Sequence, residues 1–109
     1  MTVSMNFDIP EEKVEEIVRF WVEPGFGYMA VEELNELQKA ILKIERTWFR
    51  PELVGDHESL LLEEKRERKA LVDEIGDVLI SLEGIIDMYQ IPREAIQARI
   101  DSKLEKVYD

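Results

Sequence analysis

The chain has 109 residues, room for one domain (1–109) and too few for two. It carries 25 acidic against 14 basic residues, and a net charge of -11 with no basic stripe excludes nucleic acid and anionic lipid as partners, while a small anion could still bind through a cation. With no cysteine, disulfides, thiolate metal sites and cysteine nucleophiles are excluded as well. The N-terminal stretch from Met1 to Asp8 lacks a basic region followed by an apolar core, and no apolar run approaches the length of a membrane span. The expectation is a soluble, cytoplasmic protein with no membrane partner.

Four helical segments and no convincing strand are predicted. The first runs from about Pro10 to Val22; Asp8 and Pro10 start it, and Val14, Ile17, Val18 and Trp21 give an apolar stripe. Pro24-Gly25-Phe26-Gly27 reads as a turn. The second segment, about Tyr28 to Trp48, places Leu34, Leu37, Ile41, Ile44 and Trp48 at alternating steps of three and four, the spacing of an interhelical seam. Residues 49–58, with Pro51 and Gly55, form a loop. Ser59 is the expected N-cap of a third helix that reaches about Tyr89, with a seam of Leu71, Ile75, Val78, Leu82, Ile85 and Tyr89. Its early part, residues 63–69, is highly charged and reads as a solvated stretch. Pro92 opens the last helix, to about Val107, with Ile96, Ile100 and Leu104 on one face. The two long seams predict an all-α, four-helix bundle-like protomer, and a helical chain this small is expected to complete its core by dimerisation.

Two strings share a template: Glu33-Leu34-Asn35-Glu36-Leu37 and Glu74-Ile75-Gly76-Asp77-Val78 each read acid, aliphatic, any, acid, aliphatic. Carboxylates three apart leave a helix on the same side. An acidic pair of this spacing is weak alone: Glu12/Glu15 and Glu64/Glu67 have it too, and both read as solvated faces. Glu33/Glu36 and Glu74/Asp77 differ because they border the apolar seams, so two packed helices would bring four carboxylates into one pocket. Four carboxylates cannot stay ionised together without a cation, and an all-oxygen donor set favours magnesium, with manganese as the alternative. Gly76 costs its helix about 1 kcal/mol against alanine and would allow close approach by a helix, a water or a phosphate; it could equally pack against a bulky neighbour. His57 reads as an exposed loop residue outside any ligand pattern, and Gly25 and Gly27 make no phosphate loop. For a base, Trp21, Trp48, Phe26 and Tyr28 are the stacking candidates, Trp48 being better explained as core and Phe26 and Tyr28 better placed.

The string from Glu32 to Leu37, followed by the string from Asp73 to Leu79, resembles the MazG-like nucleoside triphosphate pyrophosphohydrolases of the all-α NTP pyrophosphatase superfamily, over about residues 27 to 107. The resemblance implies a homodimer or homotetramer and magnesium-dependent hydrolysis of an NTP or dNTP to nucleoside monophosphate and pyrophosphate. It carries metal ligation onto Glu33, Glu36, Glu74 and Asp77, and it matches Glu32 to an extra acid that orients water or a ligand. Either Glu32 or Glu36 would deprotonate the attacking water. The family's basic motif in the last helix corresponds to Asp101-Ser102-Lys103-Leu104-Glu105-Lys106-Val107, where Lys103 fits a phosphate contact but Asp101 replaces an asparagine and Lys106 with Val107 replaces arginines. An exposed helix end favoured by the dipole explains Lys103 and Lys106 equally well. Lys43 is a further candidate for the leaving pyrophosphate. The competing readings are a non-catalytic helical interaction module and a phosphoribosyl-ATP pyrophosphohydrolase-like enzyme.

Overall fold

The computed structural model describes residues 2–4, 7–20 and 25–108, and among these the architecture is all-α with one small hairpin at the start. β1 (Thr2–Ser4) pairs antiparallel with β2 (Phe7–Ile9), Thr2 opposite Ile9 and Ser4 opposite Phe7. Strands of three residues are too short to show an alternating pattern, which is why none is predicted. Pro10 starts α1 (Glu11–Phe20), its carbonyl accepting from the amides of Lys13 (3.1 Å) and Val14 (3.2 Å). The expected end of this helix, Trp21 and Val22, lies outside the described residues, as does Pro24.

α2 (Phe26–Phe49) begins earlier than expected. Gly25 sits at φ 108°, a conformation that L side chains rarely adopt, and its carbonyl accepts from the Met29 amide at 3.4 Å, so Phe26 and Gly27 belong to the helix rather than to a turn. A 3-10 turn, Pro51–Leu53, leads to α3 (His57–Tyr89), 33 residues and about 50 Å long at 1.5 Å per residue. Its cap is Asp56, not Ser59: the Asp56 carboxylate accepts from the Ser59 amide at 2.8 Å, which holds the carboxyl below its ordinary value. Residues 63–69 form regular helix, laced by Arg66–Glu63 (3.4 Å), Arg68–Glu64 (3.2 Å) and Lys69–Asp73 (3.1 Å). Gln90 ends α3 in the left-handed region at φ 52°, and α4 (Arg93–Tyr108) follows Pro92.

α2 and α3 pack antiparallel, as the facing pairs Thr47–Glu67 and Glu33–Asp77 require. The stripe of α2 withdrawn from solvent is Phe26, Ala30, Glu33, Leu37, Ala40, Ile44 and Thr47, unbroken steps of four and three. α3 answers with Leu60, Glu64, Glu67, Leu71, Glu74, Val78, Ser81, Ile85 and Met88 in the same rhythm. The seam therefore lies one residue round from the predicted one. Leu37, Ile44, Leu71, Val78 and Ile85 face inward as expected, but Leu34, Ile41, Trp48, Ile75, Leu82 and Tyr89 are each 40% or more exposed. Hydrophobic periodicity finds the most apolar stripe of a helix; here each helix meets the other through the neighbouring stripe, where small and acidic residues sit.

At the far end of this pair, Val14 and Val18 of α1 pack with Phe26 and Ala30 of α2 against Ile85 and Met88 of α3. Phe26 is 1% exposed. It is core, and not the stacking surface expected of it. α4 shares no extensive contact with another element among the described residues, and its Ile100 and Leu104 stay exposed. The radius of gyration is 17.4 Å, against about 13 Å for a compact domain of this length.

Candidate metal and phosphate site

The inner stripes carry their own carboxylates. Glu33 occupies a seam position of α2 facing Glu74 on α3, and Asp77 stands one turn further along. One oxygen from each of Glu33, Glu74 and Asp77 lies within 4.8 Å of the others. Glu33 and Glu74 are half-buried, and Asp77 is exposed at the mouth. Burial pushes the Glu33 carboxyl above its ordinary value of 4.5; the charges of Asp77 and Glu74, a hydrogen bond with Asp77 and the charge of Glu36 push the same way. Glu74 is also raised above 4.5, by burial first and then by Asp77, Glu36 and Asp73.

One oxygen of Glu74, Oε2, is sealed from solvent and has no hydrogen-bond partner, although the residue as a whole is partly exposed. A sealed acceptor beside two further carboxylates is unfavourable unless a cation or a donor meets it. The donor set is all carboxylate oxygen and suits a hard divalent ion such as magnesium or manganese. Glu36 stands at the rim, exposed, 3.7 Å from Lys39, and its charge reaches both Glu33 and Glu74. Glu32 is exposed on the flank of α2, and His57 is exposed in the first turn of α3.

Next to the carboxylates, a cleft of about 310 Å³ is lined by Glu36, Lys39, Lys43, Arg46 and Glu74 with Ala40 and Ala70. Lys43 is thus placed beside the acidic cluster; Lys39 and Arg46 join it, neither of which the sequence singled out. Lys103 and Lys106 are exposed on α4, and one chain alone gives that helix no extensive contact with α2 or α3. Asp101 is engaged locally, accepting from the Gln97 amide at 2.9 Å.

The aromatic candidates separate. Tyr28 is 79% exposed. Trp48, expected in the core, is 53% exposed because it lies on the outer stripe, with the Arg68 guanidinium 5.7 Å from its ring centroid. Trp21 lies outside the described residues. Among the described residues, and apart from its own helix backbone and chain neighbours, nothing comes within 4 Å of where a Cβ on Gly76 would sit. That glycine opens onto an apolar groove of about 650 Å³ between the N-terminal hairpin, α1 and α3.

Glu67 is the residue that pattern reading missed. It is 7% exposed rather than solvated, and its Oε2 accepts from the Thr47 hydroxyl at 2.8 Å. The signal lay in its distance of two helical turns, seven residues, from Glu74, which keeps both on one stripe. No family description, curated protein or solved structure matches this chain.

Proposed function

We propose that this chain is a magnesium-dependent, MazG-like nucleoside triphosphate pyrophosphohydrolase, converting an NTP or dNTP to nucleoside monophosphate and pyrophosphate in nucleotide-pool cleaning or dNTP control. The observation that carries this reading is the convergence of Glu33, Glu74 and Asp77, with Glu36 at the rim and one Glu74 oxygen sealed and unmatched. A protein of net charge -11 needs a cation to hold a polyphosphate, and this is where its carboxylates would bind one. Glu33, Glu36, Glu74 and Asp77 hold the ion. When bound, magnesium neutralises phosphate charge and eases attack of water on phosphorus.

The chain's own groups do the rest. Glu36 or Glu32 takes the proton of the attacking water, and Lys43 with Arg46 meets the phosphates in the adjoining cleft. Lys103 and Lys106 add to this charge when α4 docks, which an assembly of two or four copies provides. The outer stripes of α2 and α3, apolar and exposed, favour such an assembly, as does the open shape of the single chain. No described helix is long and apolar enough to cross a membrane, and a cytoplasmic location goes with the substrate.

The test is a panel of NTPs and dNTPs with magnesium, reading pyrophosphate against phosphate release. Pyrophosphate is the expected product, and Asp77→Asn or Glu36→Gln loses turnover by at least about a hundredfold with helix content intact. Absence of turnover across the panel, with no thermal shift on adding magnesium and a non-hydrolysable nucleotide, would leave a non-catalytic interaction module.

A further inference from the structure

The cleft beside the carboxylates does not end at Lys43. Lys43 and Arg46 also line a second cleft, of about 430 Å³, that continues along the α2–α3 seam to Thr47, Arg50 and Glu67. Ala40 and Ala70, small residues on the two facing helices, keep the space between the two clefts open. At its far end Glu67 is 7% exposed, and its Oε1 has no hydrogen-bond partner while Oε2 takes the Thr47 hydroxyl. Among the described residues no cation pairs with this carboxylate, although Lys43, Arg46 and Arg66 line the same space. Glu67 lines this cleft, and a buried acceptor left unmatched calls for a donor.

We propose that this second cleft receives the base of the nucleotide, and that Glu67 reads its N–H edge; this rests on the nucleotide reading above. Seven residues of α3 separate Glu74 from Glu67, about 10 Å of helix rise, comparable with the reach from a 5′ phosphate to the far edge of a base. The acidic, metal-holding end takes the phosphates, Lys43 and Arg46 sit midway, and the base fills the space towards Glu67. A carboxylate only accepts, so it selects an edge that only donates. Guanine offers two adjacent donors, N1–H and the 2-amino group, to the two carboxylate oxygens, whereas the N3–H of uracil is flanked by carbonyls that would face the carboxylate. Thr47 fixes the orientation of Glu67 and is a positioning residue.

The experiment compares kcat/KM for GTP and UTP, with magnesium, in the wild type, in Glu67→Gln and in Thr47→Val. The wild type is expected to prefer GTP, and Glu67→Gln to lose roughly 10–100-fold on GTP, the worth of a hydrogen bond to a charged group, so that the GTP/UTP ratio falls towards one. Thr47→Val, which keeps volume while freeing the carboxylate, moves the ratio in the same direction by less, and gives the answer where Glu67→Gln fails to fold. A wild type that hydrolyses UTP as well as GTP, or a ratio that neither variant moves, overturns the base assignment and leaves the pyrophosphohydrolase standing. A wild type that hydrolyses neither, nor any other nucleotide, overturns both.

Discussion

Two stretches of α3 lie only two turns apart and behave in opposite ways. Around Gly84 every demand is met inside the chain: the Phe26 ring lies so close that a Cβ on Gly84 would come 2.2 Å from it, and the buried carboxylate of Glu83 is paired with Arg93. Around Gly76 almost nothing is met. The glycine faces open space, Ile75 is 40% exposed, and Glu74 keeps an unmatched oxygen beside Asp77 and Glu33. The same helix is finished structure at one end and unfinished in the middle. An apolar stripe left bare and carboxylates left crowded are both unfavourable in a lone protomer, and on the proposed reading each would be relieved by a different addition: a second copy for the first, a cation for the second.

Substitutions should separate the two stretches. Arg93→Ala leaves Glu83 charged, buried and alone, with an expected loss of about 3 kcal/mol in urea unfolding. Arg93→Lys should recover part of that loss, and a loss below about 1 kcal/mol would mean that water already reaches Glu83. Gly84→Ala is next: a Cβ pressed against the fully buried Phe26 ring puts overpacking at the upper end of about 1–3 kcal/mol, offset by about 1 kcal/mol of helix propensity, for a net loss of about 2 kcal/mol. Gly76→Ala meets nothing among the described residues and should gain close to 1 kcal/mol from propensity alone. A loss at Gly76 instead, together with a melting temperature that rises with protein concentration, would place a second chain against it.

The contrast between these stretches also explains what the sequence could tell. Helices and their order were legible, because each follows from spacing within one segment; that Glu33 would meet Glu74 and Asp77 was an expectation from the shared template, and Glu36, expected with them, stays at the rim. The rotation of the seam was not. Leu34, Ile41 and Trp48 outweigh Glu33, Ala40 and Thr47 in any hydrophobicity count, yet the second set faces α3. A helix with two adjacent usable stripes presents the more apolar one to the eye, and only the partner helix decides which is used first. Glu67 was lost for the same reason: on the predicted seam it falls outside, on the actual seam it is central. The hairpin was too short to register, and the true cap of α3, Asp56, lies three residues before the expected Ser59 because either residue type fits that role.

The smallest effect is the most specific to the crowded stretch. Glu33 and Glu74 bind their protons more tightly in the folded chain than at the ordinary value of 4.5. The folded state therefore holds more protons than the unfolded one just above that value, and stability falls as pH rises from 4.5 through the raised folded values. Asp56 acts in the other direction, but its lowered carboxyl changes stability only as pH falls below its ordinary 3.8, outside this window. Both glutamates reach solvent, so the slope is shallow and weakens with salt. Magnesium should reverse its sign: an ion that binds only ionised carboxylates stabilises the fold more as pH rises through the same window. Melting temperatures taken between pH 4.5 and neutrality, with chelator and then with magnesium, give two lines of opposite slope if the crowding is answered by a cation. Glu74→Gln should flatten both. Parallel lines would mean that the carboxylates relax into water as the protons leave, and that nothing is held between them.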